Sequence, residues 1–145
     1  MILDIVTNKN ELKEKCRDYD FNTDHHKRIH AIKEDFMDTA NDNDHCLGLA
    51  ANQIGYNYRI ILPKLKHFGS KFTLMVNPQI AKFKTVKRCR EECLSHPGKD
   101  FKVRRSLKIK ASYCDEDNKE HTIILTDVDA QVVQHGVDHL NGILI

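Results

Sequence analysis

The sequence predicts an α+β domain in which short antiparallel strands gather around a C-terminal helix. Three observations carry that expectation: an amphipathic helical period near the N-terminus, a middle of short apolar or alternating runs broken by Pro, Gly and Asn, and a second helical period close to the end. A length of 145 residues supports one domain with a real core, so residues 1–145 read as a single unit.

The elements follow in order. Residues 1–23 are polar and irregular, with a short helical turn expected at 11–17. Asp24 is a good N-cap, and Ile29, Ile32, Phe36, Met37 and Ala40 recur at helical spacing, which predicts an amphipathic N-terminal helix over 25–40. Asn41-Asp42-Asn43-Asp44 ends it. Strands are expected over 59–62, 72–76 and 80–88, punctuated by Pro63, Gly69 and Asn77-Pro78. Residues 103–113 alternate, with Leu107, Ile109, Ala111 and Tyr113 on one side; a turn at 115–118 leads to a strand over 121–125. Thr126-x-x-Asp129 resembles a capping box opening the final helix, whose buried stripe is expected at Val128, Val132, Val133 and Val137.

Composition excludes several classes. Hydrophobic content of 40%, charged content of 30% and a net charge of +2 are ordinary for a soluble globular protein. Basic residues thicken at 84–90 and 99–110, but apolar residues alternate with them, so they read as a solvated strand face and not as a nucleic-acid or membrane surface. No apolar run approaches the roughly 18–20 residues of a membrane span, and no signal-peptide core is present. Five cysteines, an odd number, point to free thiols in a reducing compartment.

Chemistry is concentrated in three segments. His135 and His139, four residues apart, project from one face of a helix and can share a divalent transition metal. Zinc-type hydrolases follow the first His with Glu, the general base; here that position is Gly136. The spacing alone also occurs by chance on surface helices, and a third ligand must come from elsewhere. Cys93, in Glu91-Glu92-Cys93-Leu94-Ser95-His96-Pro97-Gly98, is the best candidate, although a lone Cys equally reads as a small buried thiol. The third segment, Gly48-Leu49-Ala50-Ala51-Asn52-Gln53-Ile54-Gly55, is small and apolar with a Gln amide, suited to close backbone approach or to a packed turn.

Together and in this order, the segments resemble the peptide deformylase family, whose motifs are Gly-φ-Gly-φ-Ala-Ala-x-Gln (φ apolar), Glu-Gly-Cys-Leu-Ser and Gln-His-Glu-x-x-Asp-His-Leu. Here they read Cys46-Leu47-Gly48-Leu49-Ala50-Ala51-Asn52-Gln53, Glu91-Glu92-Cys93-Leu94-Ser95 and Gln134-His135-Gly136-Val137-Asp138-His139-Leu140. The resemblance implies a peptide-deformylase-like fold with a central C-terminal helix carrying His-x-x-x-His. It implies that Cys93, His135 and His139 hold one divalent ion, Fe²⁺ in the cell with Ni²⁺ or Zn²⁺ as substitutes, leaving a position open for water. The substrate would be the N-formyl-methionyl end of a nascent, ribosome-associated peptide. The Gln53 amide and the Leu94 backbone N–H would stabilise the oxyanion. The chain around Gly48 and Leu49 would pair with substrate as an added strand. Glu92, Gln131 and Val132 would lie beside the substrate, Gln131 standing where the family has an apolar wall of the methionine pocket. Arg105 and Asp138 would be structural. The implied protein is a monomer of the bacterial cytoplasm or a phage-infected host, without DNA or membrane partners, similar to the short deformylases of phages that lack a C-terminal helix.

Three departures qualify the activity. Gly136 replaces the catalytic Glu, and Cys46 and Glu92 replace motif glycines. Losing a general base costs about 10²–10⁴-fold in rate, or roughly 3–5 kcal/mol of barrier. Two readings follow: an impaired metallohydrolase, or a catalytically silent homologue that binds metal and peptide N-termini or a protein partner. Glu92 invites a role as a relocated base, but strand alternation turns it away from the side Cys93 faces. The other histidines (25, 26, 30, 45, 67, 96, 121) read as surface or loop residues, with Asp24, His25, His26 and His30 forming a polar helix start in preference to a second metal site.

Overall fold

The strand Ile60–Leu65 explains the layering. Its first three residues, Ile60, Ile61 and Leu62, are all buried, as a strand covered on both faces requires. Ile60 and Leu62 pack with Ile29, Ile32, Phe36 and Ala40 of the N-terminal helix. Ile61 and Leu65 pack with Ala130, Val133, Val137 and Leu140 of the C-terminal helix. Each of these Ile, Leu, Val and Phe side chains contributes about 1.5–3 kcal/mol on burial. The sheet therefore separates two cores.

This computed structural model describes residues 1–24 and 26–144. The strands are β1 (Gly48–Ala50), β2 (Ile60–Leu65), β3 (Lys71–Phe72), β4 (Met75–Lys82), β5 (Val86–Glu92), β6 (Asp100–Ser106), β7 (Lys108–Cys114) and β8 (Glu120–Thr126). The main sheet runs β1-β2-β4-β7-β8, with β3 paired to β2; β5 and β6 form a separate two-stranded ribbon, and all named pairs are antiparallel. The helices are α1 (Lys9–Leu12), α2 (His26–Asp42) and α3 (Asp127–Leu140). As expected for an α+β fold with a central last helix, α3 touches β1, β2, β6, β7 and β8.

Several boundaries differ from expectation for identifiable reasons. The turn expected at 11–17 is α1, placed earlier because the Asn8 side chain accepts from the N–H groups of Asn10 and Glu11. The helix expected over 25–40 is α2; residue 25 and the side chain of residue 26 lie outside the described residues. Asn77-Pro78 does not end a strand: it forms a bulge inside β4, where Asn77 has φ 51° and its amide exchanges two hydrogen bonds with the backbone of Tyr19. The runs 80–88 and 103–113 each divide in two where the ribbon leaves the sheet. Leu107 N–H to Thr85 O and Phe83 N–H to Lys108 O pin that crossing. Thr126 makes no side-chain cap bond; Asp129 instead accepts from the N–H groups of Lys66 and His67 in the turn at Lys66–Phe68. The expected stripe of α3 is rotated: Val128 is 41% exposed, and Ala130, Val133, Val137 and Leu140 face the core.

Candidate metal centre

Cys93 directly follows β5, while His135 and His139 come from α3, and the ribbon lies against that helix through β6. Gln134, buried between them, makes this docking specific. Its Oε1 accepts from Ser106 N–H at 3.0 Å and its Nε2 donates to Ser106 O at 2.8 Å. The ligand atoms of Cys93, His135 and His139 all lie within 4.8 Å of one another. Cys93 Sγ is 3.3 Å from His139 Nε2, and the two Nε2 atoms are 3.1 Å apart. Edges of a tetrahedron drawn around an ion with ordinary zinc-type bonds are about 3.3–3.6 Å. These two edges are a few tenths of an ångström tighter, so on them an ion asks only a small outward shift, and one thiolate with two imidazoles is a donor set that fits.

A buried network holds the ligands. Glu91 Oε1 sits 2.8 Å from His135 Nδ1, which turns Nε2 toward the centre. Arg105 donates to both Glu91 oxygens at 2.8 Å and also to Asp138 Oδ2. Burial raises the Glu91 carboxyl, but the bonds from Arg105 and His135 overcome it and bring the pKa down to about 2. Burial likewise pushes the Cys93 thiol up, and the two imidazoles outweigh it, lowering the pKa to about 5. Burial disfavours charge on His135, yet Cys93 and Glu91 raise it to about 9. The metal-free centre is thus a thiolate beside an imidazolium, a metal-ready state that must shed a proton on loading. Alkylation of Cys93 by iodoacetamide in metal-free protein is expected to titrate with a midpoint near pH 5; a midpoint at the ordinary thiol value of about 8.5 would contradict this assignment.

A cleft of about 810 Å³ opens onto this centre. Gly48, Leu49, Gln53, Glu92, Cys93, Leu94, Gln131, Val132, His135 and Gly136 all line it, while His139 lies behind, 1% exposed. Gln53 Oε1 accepts from Ala50 N–H at 3.0 Å, which aims Nε2 at Cys93 Sγ (3.4 Å) and Ser95 Oγ (3.2 Å). Glycine at 48 permits close approach: a Cβ there would stand 3.2 Å from Val132 Cγ1 and 3.3 Å from Pro63 Cα, so these neighbours would have to give by a few tenths of an ångström. Gln131 borders the cleft with its amide donated to Arg90 O at 3.1 Å. Glu92 is exposed at the rim, whereas Glu91, which sequence reasoning passed over, is the carboxylate inside.

Residues 2–145 match the model of the polypeptide deformylase family. The chain belongs to that family. A peptide deformylase of Thermoanaerobacter pseudethanolicus is 37% identical over 122 residues, 84% of this chain and 74% of the relative. Peptide deformylase 1 of Clostridium perfringens is 34% identical over 134 residues, covering 92% and 87%. Among solved structures, a probable peptide deformylase of Synechococcus phage S-SSM7 aligns with a TM-score of 0.87 at 33% identity, covering 98% of this chain and 96% of that one. A class I type b peptide deformylase from Acinetobacter baumannii aligns at 0.90 with 27% identity, covering 99% and 97%. The latter protein has also been solved with Met-Ala-Ser bound.

Proposed function

We propose that residues 1–145 act as one domain that removes the formyl group from formyl-methionyl peptides slowly, through one divalent ion, Fe²⁺ in the cell. The observation that carries this reading is the convergence of one thiolate and two imidazoles at the floor of a cleft wide enough for a peptide end. An ion held by Cys93, His135 and His139 would supply Lewis acidity toward water and the formyl carbonyl. The chain's own residues do the rest. Glu91 keeps His135 oriented, and Gln53, fixed by Ala50, offers its N–H groups beside Cys93 to developing negative charge. Leu94 N–H is assigned the same role. Gly48 and Leu49 lie on β1, at the edge of the sheet, where an extended peptide can add as a strand. Gln131 makes the wall beside Val132 more polar than an aliphatic side chain would.

Hydrolysis breaks the formyl C–N bond and must move a proton from the attacking water to the departing amine. Gly136 offers no group for that transfer. Glu91 is committed to Arg105 and His135 and is held ionised, so it does not substitute. Glu92 remains as a carboxylate at the rim. The pH–rate profile of Glu92→Gln is expected to match the parent; a lost acidic limb would assign the base to Glu92. Recombinant protein loaded anaerobically with Fe²⁺ or Ni²⁺ is expected to bind one ion by native mass spectrometry and to release formate slowly from formyl-Met-Ala-Ser. Cys93→Ala is expected to bind none. An unchanged ion count in that variant would overturn the ligand set. Ion binding without any formate would favour the silent homologue that holds peptide N-termini or a partner.

A further inference from the structure

We infer that Asn52 is the positioning residue for His139, its side-chain carbonyl accepting the hydrogen that the ring carries on Nδ1. The inference rests on the ligand set proposed above and concerns what holds one member of it. The two imidazoles of the centre are not held alike. His135 has a carboxylate behind it, with Glu91 Oε1 2.8 Å from Nδ1. His139 presents Nε2 to the centre, 3.3 Å from Cys93 Sγ and 3.1 Å from His135 Nε2. A neutral ring that gives Nε2 to an ion carries its hydrogen on Nδ1. In His139, which is 1% exposed, Nδ1 is buried and has no hydrogen-bond partner in the protein. A buried donor of this kind requires an acceptor, and ligating imidazoles almost always donate to one.

Asn52 supplies the match. It sits in the 3₁₀ turn Ala51–Ile54, directly before Gln53, and is buried. Its Nδ2 donates to His139 O at 2.6 Å. A backbone carbonyl only accepts, so this bond fixes which end of the amide is nitrogen. Oδ1, roughly 2.2 Å from Nδ2 within the same amide, is left buried without a protein partner. Among the described residues three buried side-chain atoms are in that condition, and two of them, one acceptor and one donor, belong to this bonded pair. The third, His96 Nε2, belongs to a residue of the cleft wall. Capping α3 does not account for the amide, because His139 O already accepts from Gly142 N–H at 3.0 Å. Packing does not account for it either, since an apolar side chain would fill a buried turn without stranding an oxygen. The bond from Nδ1 to Oδ1 closes directly or through one buried water, for which a donor facing an acceptor is the required lining. Glu91 thus stands behind one ring and Asn52 behind the other.

Zn²⁺-loaded protein with ¹⁵N-labelled histidine tests this by NMR and by metal affinity. The parent is expected to show a His139 Nδ1 proton shifted downfield by hydrogen bonding, beside the one that His135 gives to Glu91. Asn52→Leu, close in volume, should lose that shift and bind Zn²⁺ about tenfold more weakly. Asn52→Asp keeps the acceptor and loses the donor to His139 O; it should retain the shift and most of the affinity. A role in capping or packing alone predicts both variants weakened alike, and that result overturns the inference. So does a Zn²⁺ affinity unchanged in Asn52→Leu. Should a variant fail to fold, the parent spectrum still decides, because a His139 Nδ1 proton at the position of a free imidazole overturns the inference. Parent protein that binds no Zn²⁺ would sink the ligand set and the inference with it; Zn²⁺ bound with Nδ1 of His139 unpaired sinks the inference alone.

Discussion

Gly136→Glu is expected to raise kcat for formyl-Met-Ala-Ser by about 10²–10⁴-fold, because it restores a proton carrier beside the centre without touching the ligands. Space is the only obstacle. A Cβ at 136 would stand 3.1 Å from Ile61 Cγ2, and Ile61 is 1% exposed, so this core side chain must give by a few tenths of an ångström. Removing glycine from a helix interior returns up to about 1 kcal/mol, which offsets that crowding. Gly136→Ala separates the two effects: its Tm should stay close to the parent's, and its kcat should not rise. Formate release measured on the three proteins at equal metal content decides the matter. Parity of the Glu variant with the parent would mean that another group already carries the proton.

The second large effect is structural. Glu91→Ala should destabilise the protein by about 3–5 kcal/mol in urea unfolding, since it strands Arg105 with a single remaining carboxylate, Asp138, in a site where the guanidinium is 3% exposed. Glu91→Gln, which keeps volume and one acceptor, should weaken metal affinity about 10–100-fold by loosening His135. The pH dependence follows in sign. A carboxyl whose pKa falls to about 2 on folding contributes stability that is fully present above its ordinary value of 4.5 and is lost as pH falls toward 2. The metal-free parent should therefore show an acid limb in that window, and Glu91→Gln should flatten it. Equal acid limbs in the two proteins would contradict the assigned network.

Much of this arrangement was legible because local rules and the fold agree. The apolar period of α2, the continuous run of β2 and the four-residue spacing of the histidines each report one physical constraint, and the structure meets all three. What escaped did so for two reasons. Tertiary demand overrode local signals at Thr126 and Asp129, where a carboxylate fit for a cap was taken by the turn at Lys66–Phe68. Elsewhere the signal was present but unused. The alternation that turns Glu92 outward also places Glu91, two residues before Cys93, on the ligand side. Nothing in the alternation of 103–113 marks Leu107 as the point where ribbon and sheet part, because long-range backbone bonds set that break.

Because the sulfur donor directly follows the ribbon strand β5 and both nitrogen donors come from α3, an ion at the centre would act as a further cross-link between two pieces of the molecule already joined by Gln134, by the Gln131–Arg90 bond and by the Glu91–Arg105 cluster. Chelation would then do more than silence the site: it would loosen one wall of the peptide groove, and protease should find the 93–99 loop first.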